Sequence, residues 1–76
     1  MRELLRSNDM VLVSYIVDLL QQEGLAVIVF DAHMSVLEGS VGVLPRRVMV
    51  STQDEHHARR LLAEAGLRDQ LSAPGG

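Results

Sequence analysis

Leu19-Leu20-Gln21-Gln22-Glu23-Gly24-Leu25-Ala26-Val27-Ile28-Val29-Phe30 decides the fold of this chain. Its first half closes a helix. Gly24 supplies the left-handed residue that ends many helices, and Leu25 can fold back on the last turn. Its second half is an unbroken β-branched and aromatic run, which predicts a strand covered on both faces or nearly so. Upstream, Val13, Ile16, Val17 and Leu20 recur at i, i+3, i+4 and i+7, so a helix is expected over Met10–Glu23. Ser7-Asn8-Asp9 provides capping oxygens at its start. Glu3–Arg6 before it reads as a short first strand.

The same pattern returns downstream. Leu61-Leu62-Ala63-Glu64-Ala65-Gly66-Leu67 repeats the Leu-Leu and Gly-Leu of residues 19–25. Pro45 is tolerated at the entrance of a strand over Arg46–Val50. Thr52-Gln53-Asp54-Glu55 matches a capping box, with Thr52 as N-cap and Glu55 reaching back. Ala58, Leu61, Leu62 and Ala65 then mark one helical face. The order is β-α-β-β-α, with a short terminal strand or turn around Leu67–Leu71 left open. Right-handed crossovers would lay both helices on one face of an antiparallel sheet. That is an α+β, ferredoxin-like split βαβ fold. One domain is expected over residues 1–71, followed by a flexible tail over 72–76.

Composition narrows the function. The chain has 76 residues, room for a single domain with a thin core. Ten acids against seven arginines give a net charge of −3, and Tyr15 and Phe30 are the only aromatics. Neither suits a general nucleic-acid binder. The absence of cysteine and lysine removes thiolate metal sites, thiol nucleophiles and Schiff-base chemistry. No apolar stretch is long enough to cross a bilayer. A cytoplasmic protein with no cofactor is expected.

The segment between the central strands is the distinctive one. About a dozen residues without a sustained period is long for so small a domain, and such loops tend to carry function. Gly39 and Gly42 allow backbone amides to converge on an anion, and Arg46 and Arg47 stand at the segment's end. On a strand those two side chains face opposite ways, so at most one serves a given face. The simpler reading makes the glycines turns, lets Val36, Leu37, Val41, Val43 and Leu44 cover the sheet, and pairs an arginine with Glu38 or Asp31. Adjacent His56 and His57 point about 100° apart on a helix and cannot share one ion unaided. His33 beside Asp31 would suit a proton carrier, but neither Ser35 nor Ser40 makes a nucleophile by sequence order alone. Glu55 with Arg59, and Arg60 with Glu64, are i, i+4 pairs on a solvated helix face.

Glu3-Leu4-Leu5-Arg6-Ser7-Asn8-Asp9, the Leu19-Leu20…Gly24 helix end, Met34-Ser35…Glu38-Gly39-Ser40…Gly42…Leu44-Pro45-Arg46-Arg47-Val48-Met49-Val50, and Ala58-Arg59…Leu61-Leu62…Ala65-Gly66-Leu67 together resemble a family of small bacterial signal-transducing proteins. The resemblance covers about residues 2–67. It implies a fold similar to the PII regulatory proteins, in which the corresponding connection contacts partners. It brings no catalytic residue with it. Met10 departs from the pattern, since members often carry proline there. A non-enzymatic regulatory domain is therefore expected, binding an anionic small ligand or a partner protein through residues 32–47. Glu38, Gly39, Ser40, Gly42, Arg46 and Arg47 are its candidate site residues. The alternative is a homodimeric interaction module built on Val36, Leu37, Val41, Val43 and a sheet edge. A small hydrolase or isomerase using His33 comes last.

Overall fold

Asp9 opens the first helix. Its backbone is extended (φ −81°, ψ 102°), and its carboxylate accepts the amides of Val11 and Leu12 at 3.0 and 3.1 Å. Two of the orphan donors at the helix start are satisfied this way. The computed structural model, which describes residues 1–30 and 45–73, carries this helix, α1, over Met10–Gln22. Val13, Ile16 and Leu20 are buried along it, as the apolar spacing requires.

Both helices end in the same way. The amide of Gly24 donates to the Gln21 carbonyl at 2.9 Å and that of Leu25 to Leu20 at 3.1 Å. In the second helix, α2 (Glu55–Glu64), Gly66 donates to Ala63 at 3.0 Å and Leu67 to Leu62 at 2.9 Å. Each pair makes a Schellman motif, and each glycine adopts a positive φ, +83° and +84°. The sequence echo is thus a structural one.

Among the described residues three strands form one antiparallel sheet: β1 (Arg2–Ser7), β2 (Val27–Phe30) and β3 (Arg46–Val50), in the order β1-β3-β2. Val48 and Val50 of β3 join Leu4 and Leu5 of β1 in one core with Val13, Ile16 and Leu20 of α1 and Ala58 and Leu62 of α2. Both helices therefore pack on the same face. The result is a small α+β unit with the expected β-α-β-β-α order.

Two local expectations need correction, and one alternative left open is decided. First, β2 is covered on one face only. Ile28 and Phe30 are 46% and 47% exposed while Val27 and Val29 are half-buried. The reason is that both described helices pack on the same face of the sheet, the one that Val27 and Val29 share. Second, Thr52 is not the N-cap. Ser51 takes that role, its hydroxyl accepting the Asp54 amide at 3.3 Å, and a 3₁₀ turn over Thr52–Asp54 precedes α2. Glu55 turns instead toward arginines. The alternative left open at residues 67–71, strand or turn, is decided as a 3₁₀ turn, Arg68–Gln70. A strand would set Asp69 on the same face as Leu67 and Leu71. The turn lets both leucines pack on the core and leaves Asp69 exposed.

Candidate functional site: an arginine cluster at the edge of β1

The site begins with an irregularity in β1. Its register with β3 runs Glu3↔Met49 and then Leu5↔Val48, so Leu4 is an extra residue, a β-bulge. In a regular strand Glu3 and Arg6, three apart, would face opposite sides. The bulge changes the parity and brings them together, and Arg6 Nε donates to Glu3 Oε1 at 2.9 Å. It also explains why Leu4 and Leu5 are both fully buried although adjacent.

Arg6 lies directly across from Arg47 of β3. Like charges in that relation repel. Here Glu3 resolves the conflict, because the same Oε1 also accepts from Arg47 Nε at 3.0 Å. Its second oxygen accepts from the Ser72 hydroxyl at 2.6 Å. The Ser72 hydrogen bond, then those of Arg6 and Arg47, hold the Glu3 carboxyl below its ordinary value, outweighing the desolvation that pushes it up.

The cluster continues around the strand edge to α2. Arg59 Nε donates to Glu55 Oε2 at 3.0 Å, Nη1 to the Ser72 carbonyl at 2.7 Å, and Nη2 to the Glu3 carbonyl at 3.1 Å. Arg2 Nε stands 3.5 Å from Glu55 Oε1. Arg59 is thus no member of a solvated face: it clamps the helix, the first strand and the C-terminal segment together. The outer pair, Arg60 with Glu64 at 3.6 Å, is exposed as its spacing suggests.

These groups line a cavity of about 400 Å³, with Met1, Met49 and Ala73 as its apolar wall. Among the described residues four guanidinium groups face two carboxylates there, two positive charges in excess on a chain whose net charge is −3. Such a cavity can hold an anion through charge-assisted hydrogen bonds.

Of the residues singled out from sequence, Arg47 lies in this cavity. Arg46 points to the other side, into a groove of about 410 Å³ formed with Val13, Val17 and Gln21 of α1 and Val29 of β2. Glu38, Gly39, Ser40 and Gly42 lie outside the described residues, as does His33. His56 and His57 are exposed at the start of α2, and no potential metal-ligand cluster occurs among the described residues. Sequence reasoning missed Glu3, Arg2, Arg6, Ser72 and the clamp role of Arg59. Only the density of charge in Arg2-Glu3…Arg6 around two leucines hinted at it, and the bulge that organises that charge has no sequence signature here. Ser72 falls in the stretch assigned to a tail, yet its amide donates to the Leu4 carbonyl at 2.7 Å and its hydroxyl and carbonyl are also bound.

No described helix is long and apolar enough to cross a membrane. Among curated proteins none matches the chain. A family model, described as "Putative prokaryotic signal transducing protein", matches residues 1–66. That span includes both strands and the helix that build the arginine cluster, and the chain belongs to this family.

Proposed function

We propose that the chain is a non-catalytic, cytoplasmic regulatory domain that holds a small anion where the 32–47 segment enters β3. One observation carries this reading: Arg2, Arg6, Arg47 and Arg59 surround one cavity in which, among the described residues, only Glu3 and Glu55 stand against them. The family description supports a signalling role. The strand order, with β3 inserted between two strands joined through α1, supports a ferredoxin-like plan like that of PII-type regulators. The test is an NMR titration of the labelled chain with a panel of small anions at constant ionic strength. Saturable shifts are expected at Arg47 and through Glu38–Arg47, and Arg47→Ala should abolish them. Spectra unchanged across the panel would remove the ligand reading.

The homodimer reading keeps one observation in its favour, the exposed Ile28 and Phe30 on edge strand β2. Sedimentation at micromolar concentration decides it. A strictly monomeric mass ends it.

A further inference from the structure

We infer that the cavity selects a phosphate monoester dianion over a carboxylate; this deepens the anion-binding reading above and rests on it. Arg59 is committed elsewhere. Its side chain is mostly buried, 16% exposed, and its Nε, Nη1 and Nη2 each have a partner. It is a positioning residue that shapes the wall. Arg2, Arg6 and Arg47 are more accessible, at 39%, 58% and 46%. Arg6 and Arg47 spend Nε on Glu3, and among the described residues the Nη groups of those two forks make no hydrogen bond. Two adjacent guanidinium edges whose Nη donors have no partner among the described residues fit the oxygens of a tetrahedral anion.

Glu3 sets the threshold for charge. Arg6 and Arg47 already share a carboxylate, so a monocarboxylate ligand offers them nothing that Glu3 does not provide at closer range. A dianion matches the two-charge excess of the cavity and can outcompete Glu3. The volume, about 400 Å³, exceeds what a bare phosphate fills, and Met1, Met49 and Ala73 form an apolar wall for an organic substituent. A monoester therefore fits better than the free ion.

Calorimetry and side-chain NMR on the full chain, at constant ionic strength and pH 7.5, use inorganic phosphate, phenyl phosphate and benzoate as probes. Phenyl phosphate should bind tightest, inorganic phosphate more weakly, and benzoate at least about tenfold more weakly than phenyl phosphate, as loss of charge-assisted hydrogen bonds implies. Arg6→Ala and Arg47→Gln should each weaken phenyl phosphate about tenfold or more. Arg60→Ala, on the outer face of α2, should leave it unchanged, and amide spectra establish that each variant folds. Affinity should fall as pH drops through the second ionisation of the ester, near about 6. Benzoate binding as tightly as phenyl phosphate overturns the dianion class and leaves the anion site standing. Inorganic phosphate binding as well as the monoester overturns the role of the apolar wall. Binding indifferent to Arg6 and Arg47 moves the site elsewhere. Failure of all three probes, with other anions still shifting Arg47, overturns this inference alone; silence of every anion sinks the broader reading with it.

Discussion

The Ser72 hydroxyl donates to Glu3 Oε2 at 2.6 Å across 69 residues of chain, tying the C-terminal segment to the first strand. Glu3 is also the shared acceptor for Arg6 and Arg47. One carboxylate thereby joins β1, β3 and the segment after α2, and what happens to it is felt in all three.

Stability should depend on pH through Glu3. Its folded pKa lies below the ordinary 4.5. Its contribution is therefore complete above that value and is lost as pH falls through the depressed folded pKa. Urea unfolding between pH 6 and pH 3 should show wild type more stable than Glu3→Gln at the upper end, with the gap narrowing toward the lower. A gap independent of pH would falsify the assignment.

Ser72→Ala should cost about 1.5–3 kcal/mol, the usual worth of a hydrogen bond to a charged group. Amide exchange at Ser72, whose N–H is bonded to Leu4, should quicken in the same variant. An unaltered exchange rate would mean that the backbone contact holds the segment without the side chain.

Gly24→Ala and Gly66→Ala should be equally destabilising, each by about 1 kcal/mol, because an L side chain at positive φ is strained. A Cβ at either position meets nothing within 4 Å, so no clash adds to the backbone term. Denaturant midpoints measure this. Markedly unequal losses would show that the two helix ends are not equivalent.

Met10→Pro should be neutral or stabilising by up to about 1 kcal/mol. Met10 is the first helical residue, where an amide has no helical acceptor, and Asp9 before it already has the extended backbone that a following proline demands. Asp9→Ala, by contrast, should cost about 1 kcal/mol through loss of the cap. A large loss in the proline variant would contradict this geometry.

Leu62→Ala should cost roughly 2–5 kcal/mol, since Leu62 is fully buried between helix and sheet. That is a large share of the stability open to so short a chain, on the order of 4–11 kcal/mol. Ile28→Ala should cost less than about 1 kcal/mol because Ile28 is exposed on β2. Thermal or urea unfolding of both separates a core position from an edge one.

Local order was legible in the sequence because its causes are local. The spacing of Val13, Ile16 and Leu20, the Asp9 oxygens beside a helix start, and a glycine five residues after Leu19 and again after Leu61 act within a few turns of chain. They determined the helices, their ends and the order of elements. Burial of β2 was not local. The run Val27–Phe30 looks the same whether one face or two are covered, and the packing of both described helices on one face decided it. The arginine cavity depended still more on tertiary structure. Glu3 and Arg6 share a face only because Leu4 bulges, and a bulge arises from pairing between strands more than forty residues apart. Arg47 could be named from sequence as a cation at a strand's start; that it meets Arg6, Glu3 and Ser72 was decided by register, which charge composition does not encode.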